Sequence, residues 1–124
     1  MQSRKVYKTA VYARLSSDSK DNASESIEGQ VALAVNFIRE FNLKHEEEQL
    51  EVFEIYRDLG KTGTNFERDE FQRMMQDIRL GDVKCVIVKD LSRFGRNYLE
   101  AGNYIERIFP FLGVRFIAVS DGYD

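Results

Sequence analysis

Four short strand-like stretches, apolar or alternating, punctuate this chain, and each is separated from the next by residues whose apolar members recur at helical spacing. They are Ala10 to Ala13, Leu50 to Tyr56, Cys85 to Val88 and Val114 to Val119. Each is too short for a buried helix and fits a strand. Two strands joined through a helix cannot form a hairpin; they need a crossover and so lie parallel. The alternation β-α-β-α-β-α-β therefore predicts a parallel sheet with helices on both faces, its hand fixed by right-handed crossovers.

The first strand runs from Lys5 to Ala13. Ser16 to Ser26 is polar apart from Ala23 and reads as a loop, and Ser24 or Ser26 can cap a helix. Ile27, Val31, Ala34, Ile38 and Phe41 then mark a first helix ending near Phe41. After the charged connection 42–49, Leu50 to Tyr56 is the second strand, with Phe53 and Ile55 on one face and Val52 on the other. Arg57 to Glu67 is a loop. Phe71, Met74, Met75 and Ile78 form one face of a second helix that stops at Gly81. Cys85 to Val88 is apolar on both faces, Lys89 to Asn97 reads as a polar turn, and Tyr98 to Phe111 is a third helix that Pro110 ends or bends. Ala101, Ile105, Ile108 and Phe109 would point inward from it. Gly113 precedes the fourth strand.

In open parallel sheets, ligands bind beyond the carboxyl ends of the strands. Arg14, Ser16, Ser17 and Asp18 come after the first strand; Arg57, Asp58, Lys61, Thr62 and Arg68 after the second; Lys89, Asp90, Ser92, Arg93 and Arg96 after the third. A sheet ordered 2-1-3 brings these turns to one rim. Side chains alternate along a strand, so Arg14 and Ser16 face one side and Leu15 and Ser17 the other. Arg93 and Arg96 are three apart on a helical turn; a solvated helix start is the plain reading, but cations at such a start oppose the helix dipole and suggest an anionic partner.

The chain has 124 residues and a net charge of −3. It is long enough for one domain and is not a generally basic nucleic-acid binder, so polyanion contact falls to a local cluster or to a region outside this stretch. One cysteine precludes an internal disulfide and a thiolate metal site. No apolar run spans a membrane and no signal peptide precedes the first strand, which makes a cytoplasmic domain the default. The end at Asp124, directly after a strand, suggests a domain of a longer protein.

Arginines aimed at a phosphate suit phosphodiester chemistry, because planar, permanently charged guanidiniums stabilise the charge that develops on the non-bridging oxygens. A serine beside them is a candidate nucleophile that its neighbours must activate. The one histidine, His45, sits in the acidic run 44–48 and reads as exposed. Gly60-Lys61-Thr62 lacks the first glycine of a Walker A loop, whose place Ile55 takes, and so argues against nucleotide binding. Cys85 reads as core. Asp58 as a cap or turn residue, and Gln30 as a surface residue, are the plain alternatives to a role in a site. Ser17 is a rival to Ser16.

Four motifs in order, Tyr12-Ala13-Arg14-Leu15-Ser16, Ser26-Ile27-Glu28-Gly29-Gln30, Asp58 through Arg68 and Leu91-Ser92-Arg93-Phe94-Gly95-Arg96-Asn97, resemble the serine recombinases of the resolvase/invertase family. More narrowly, the chain is similar to the catalytic domain of the large serine recombinases, which include phage integrases and conjugative-transposon enzymes. The resemblance covers nearly the whole chain. It implies a resolvase-like, three-layer α/β catalytic domain over 1–124 with strand order 2-1-3-4, and a DNA-binding region C-terminal to it.

The same resemblance implies that Ser16 attacks DNA to give a 5′-phosphoserine. Arg14, Arg68, Arg93 and Arg96 would hold the phosphate, Gln30 and Asp58 would complete the site, and Tyr12 and Thr62 would support it. Homodimers would assemble into a tetrameric synapse on DNA, with no cofactor or metal. Two departures stand out: Ser92 replaces the usual aspartate before the arginine, and Thr62 replaces a serine. The first leaves open which group protonates the leaving 3′ oxygen. It also keeps in play a non-catalytic dimerisation or regulatory module on the same fold.

Overall fold

The strand Lys5–Leu15 (β1) lies inside a four-stranded sheet ordered β2-β1-β3-β4, with β2 at Glu48–Leu59, β3 at Cys85–Val88 and β4 at Arg115–Ala118. All pairings within the sheet are parallel, as the β-α alternation requires. The structure, a computed structural model, describes residues 4–15, 26–59, 69–95 and 98–124.

Alternate residues of the central strands feed opposite layers. Ala10 and Tyr12 of β1, Val86 and Val88 of β3, and Phe116 and Ala118 of β4 join one buried cluster with Phe71, Met74, Met75, Phe94 and Phe109. Val11, Cys85, Ile87 and Ile117 join a second cluster with Ala34, Ile38 and Phe41 on the other side. This gives the three layers the sequence predicts. All of β3 is buried, in keeping with a short interior strand apolar on both faces.

The first helix, α1, spans Ile27–Lys44 and is capped by Ser26, whose Oγ accepts the Gly29 amide at 2.9 Å. It runs one turn past the expected end. His45 closes it, its amide donating to Phe41 O at 3.0 Å and its ring stacking on Phe41 at 3.9 Å between centroids. His45 is thus exposed, as expected, but also braces the helix end. The second helix, α2, spans Asp69–Arg79 and buries Phe71, Met74, Met75 and Ile78.

Three local expectations need correction. The register of β1 on β2 slips between Thr9 and Ala10, leaving Phe53 as an extra residue between Val52 and Glu54. The slip inverts the alternation: Leu50 and Ile55 pack on the α1 side although five positions apart, while Val52 and Phe53 are both exposed. Next, Lys89 to Asn97 is not a plain turn. Leu91–Phe94 forms a short helix, α3, capped by Asp90, and Phe94 is fully buried.

The third correction concerns the helix from Tyr98, which is not uniform. It consists of α4 (Tyr98–Asn103), a π-helical turn (Tyr104–Ile108) and α5 (Phe109–Leu112). Pro110 explains the wide turn: its ring would crowd the carbonyl four residues back, and the π turn moves that carbonyl away. Gly113, at φ +71°, ends α5 in a left-handed conformation that favours glycine. Ala101 and Phe109 are buried as expected, and Tyr104, Ile105 and Ile108 pack at the edge of that cluster. Among the described residues no helix is long and apolar enough to cross a membrane.

Candidate active site

The carboxyl ends of β1, β2 and β3 meet at one rim, because β1 lies between the other two. Tyr12, Arg14 and Asp58 share one face there. Arg14 pairs with Asp58 in register, and Tyr12 reaches across to it. Arg57 sits opposite Ala13 and so faces the other way; it pairs with Glu28 of α1 at 2.8 Å. The sheet therefore separates Arg57 from the arginine cluster with which the sequence grouped it.

Arg14 joins the first and third turns. Its Nη2 donates to Ser92 O at 2.8 Å and to Gly95 O at 3.2 Å, and its Nε donates to Arg93 O at 3.3 Å. A planar fork of donors suits carbonyls that point out of the end of α3. The guanidinium thus grips the turn that carries Arg93. Gly95 makes the approach possible from behind, since a Cβ on it would stand 2.9 Å from Ala101 Cβ.

Gln30 holds the backbone of Arg14. Its Oε1 accepts the Arg14 amide at 3.1 Å and its Nε2 donates to Arg14 O at 3.0 Å. The side chain acts like a piece of neighbouring strand on the backbone of Arg14, two residues before the expected nucleophile. It is 1% exposed, which overturns the reading as a surface residue. Ala13, Ile27 and Val31 seal this side, with Leu15 packed against them.

Asp58 is also buried. Its Oδ1 accepts the Glu70 amide at 2.9 Å, and its Oδ2 accepts the Phe71 amide at 3.0 Å and the Tyr12 hydroxyl at 2.8 Å. The carboxylate caps the first turn of α2 from a neighbouring strand, where a negative charge complements the helix dipole. The capping alternative weighed for Asp58 is thus present in the geometry, and its second partner is Tyr12. Tyr12 also packs edge-on against Phe71, with ring centroids 5.5 Å apart.

Arg93 lies in the last turn of α3, not at the start of a longer helix, so its charge complements the local dipole instead of opposing it. Burial first, and then the guanidinium of Arg14, push its pKa below the usual arginine value. A cation destabilised in this way gains from any anion brought to the rim. Asp90 Oδ1 accepts both the Arg93 amide at 3.2 Å and the Ser92 hydroxyl at 2.6 Å. Sequence reading gave Asp90 no role; its position two residues before Ser92 was the available signal.

Of the expected site residues, Tyr12, Arg14, Gln30, Asp58 and Arg93 are brought together through these contacts. Ser16, Thr62, Arg68 and Arg96 lie outside the described residues, as does Ser17. Among the described residues no cluster of His, Cys, Asp and Glu is arranged to hold a metal ion.

Residues 9–124 match the family described as Resolvase, N terminal domain. The chain belongs to this family. A resolvase family site-specific recombinase from Streptococcus pneumoniae shares 33% identity, with 94% of this chain and 74% of that one aligned at a TM-score of 0.68. The N-terminal catalytic domain of TP901-1 integrase shares the fold at 23% identity and a TM-score of 0.72, covering 93% of this chain and 78% of that one. The C-terminal catalytic domain of ISC1926 TnpA, an IS607-like serine recombinase, aligns at 23% identity and a TM-score of 0.67 over 90% of this chain and 67% of that one. No curated protein matches the sequence. The sheet order β2-β1-β3-β4 is that expected from the sequence.

Proposed function

We propose that this resolvase-family domain is the catalytic domain of a site-specific DNA recombinase, of the large serine recombinase type, that cuts DNA through Ser16. The observation that carries this reading is the double hold on Arg14. Its backbone is fixed by Gln30, and its side chain is fixed to the turn of Arg93. The chain leaves β1 for Ser16 from this immobilised point, beside two crowded guanidiniums. Fixed cations next to a hydroxyl form the arrangement that stabilises a five-coordinate phosphate.

In this reading Ser16 Oγ attacks phosphorus, the bond to the 3′ oxygen breaks, and a 5′-phosphoserine conserves the bond energy for rejoining. Arg93, with Arg68 and Arg96, holds the non-bridging oxygens. Arg14 and Gln30 set the position of the nucleophile, and Asp58 with Tyr12 anchors α2, whose first residue comes directly after Arg68. DNA is the partner, contacted through the rim. Sequence readout belongs to a separate segment C-terminal to this domain, since the domain itself carries a net charge of −3. Pairs of chains assemble on DNA into a tetramer that exchanges ends.

Two substitutions test this in the full-length protein. Ser16→Ala should abolish covalent attachment to DNA while leaving the fold intact, and continued attachment would refute the assignment. Arg93→Lys should slow cleavage by at least about a hundredfold, because an ammonium cannot replace a bidentate guanidinium. Near-normal cleavage would remove Arg93 from the phosphate.

A further inference from the structure

The 3′ oxygen that leaves during cleavage, and attacks during rejoining, needs a group to exchange a proton with it. The usual aspartate is replaced here by Ser92. The structure supplies a carboxylate behind that serine. Ser92 Oγ donates to Asp90 Oδ1 at 2.6 Å, within the range of a charge-assisted O–H···O⁻ bond. We propose that Ser92 and Asp90 form the proton shuttle for the DNA 3′ oxygen, with Ser92 in contact with that oxygen and Asp90 behind it. The proposal rests on the Ser16 reading above.

Placement is the first argument. The peptide that bears the Ser92 hydroxyl is gripped by Arg14 through the Ser92 carbonyl at 2.8 Å, and the next residue is Arg93. Ser92 is exposed whereas Asp90 is half-buried, so the hydroxyl is the outer member of the pair and the carboxylate the inner one. The turn is fixed from its other side by Asp121, whose Oδ2 accepts the Leu91 amide at 2.8 Å. Capping of α3 accounts for the bond from the Arg93 amide to Asp90 but does not require the hydroxyl bond to the same oxygen.

Elimination is the second argument. Tyr12 and Asp58 are bound to each other and buried, and His45 lies against Phe41 at the end of α1, beside Arg115 at the opposite rim. None of these reaches the turn of Arg93 among the described contacts, and Asp121, which does, engages the Leu91 amide while the Ser92 hydroxyl bonds Asp90.

The proton path balances. In rejoining, the 3′ oxygen bonds to phosphorus and the bond from phosphorus to Ser16 Oγ breaks. The 3′ hydroxyl proton passes to Ser92 Oγ as the Ser92 proton passes to the Asp90 carboxylate. Ser16 takes a proton from water and Asp90 later returns one to water. Cleavage runs the same path backwards, with protonated Asp90 reprotonating Ser92 as Ser92 protonates the leaving oxygen.

The test uses suicide DNA in which sulfur replaces the bridging 3′ oxygen at the cut, since a thiolate leaves without a proton. Adduct formation by the full-length protein is timed on oxygen and sulfur DNA. Ser92→Ala should be slower than wild type by about 10²–10⁴-fold on oxygen DNA and within about tenfold of it on sulfur DNA. Asp90→Asn should shift in the same direction, and Ser92→Thr, which keeps the hydroxyl, should stay near wild type on both. A Ser92→Ala defect equal on the two substrates, as a purely structural role would give, overturns the shuttle; so does no defect on oxygen DNA. Wild-type protein that forms no adduct on either DNA defeats the Ser16 reading itself, whereas a wild-type adduct with equal variant defects removes the shuttle alone.

Discussion

Asp58→Ala offers the sharpest check on how the rim is built. The carboxylate is buried and accepts from Tyr12, Glu70 and Phe71 at 2.8, 2.9 and 3.0 Å. Removing it deletes the cap on α2, a loss of about 0.5–2 kcal/mol. It also takes the Asp58 acceptor from the buried Tyr12 hydroxyl, which adds about 1–3 kcal/mol. A central value of about 3 kcal/mol is a large part of the roughly 5–15 kcal/mol that holds a domain folded. With a urea slope of about 1.5 kcal/mol per molar, the unfolding midpoint should fall by about 2 M. Tyr12→Phe alone should cost only about 0.5–1.5 kcal/mol, because Asp58 keeps both amide bonds. Both single variants break the same Tyr12–Asp58 bond, so the combined loss should be smaller than the sum by about 1 kcal/mol or more. Additive losses, or an Asp58→Ala cost below about 0.5 kcal/mol, would refute the claim that this carboxylate ties β1, β2 and α2 together.

The same contacts set further expectations. Gln30→Ala should destabilise the domain by about 1–3 kcal/mol and speed hydrogen exchange at the Arg14 amide; unchanged exchange there would contradict the clamp. Gly95→Ala should cost about 1–3 kcal/mol in denaturant unfolding, because the new methyl meets Ala101 at 2.9 Å, and a neutral result would show that α4 yields freely. Burial pushes the Cys85 thiol up to about 12, from an ordinary value of 9.0. Its neutral form is favoured in the fold, so its contribution is intact below pH 9 and declines as pH climbs towards 12. Cys85→Ala should flatten that part of the stability profile, measured by urea unfolding across the alkaline range, and an unchanged slope would count against it.

Much of this was legible in the sequence because burial leaves a period. The α1 residues Ile27, Val31, Ala34, Ile38 and Phe41, and the all-apolar β3, announced their elements, and alternation of strands and helices dictated the parallel sheet. What escaped detection depends on tertiary contacts. The slip at Phe53 is a property of how β2 registers on β1, and a composition of alternating residues does not record it. Leu91–Phe94 hides inside a polar stretch since only Phe94 is deeply buried, and Asp90 was its one local signal. The π turn answers Pro110, whose effect on helix geometry could be placed but not its form.

The candidate site divides in the same way. Which residue types gather at the rim could be read from strand order and the turn sequences. Which atoms they engage could not: Gln30 and Asp58 bind backbone amides, and a peptide partner leaves no mark in the side-chain pattern. Arg57 shows the limit of counting charges along a turn, because one step along β2 puts it on the opposite face from Asp58.

The central claim is that Ser16 is the nucleophile. The measurement that tests it most directly traps the full-length protein on suicide DNA and locates the DNA-linked peptide by mass mapping. The account predicts a 5′-phosphate on Ser16. Attachment at Ser17, or DNA bound without any covalent adduct, would contradict it, the latter result favouring a regulatory module on the same fold.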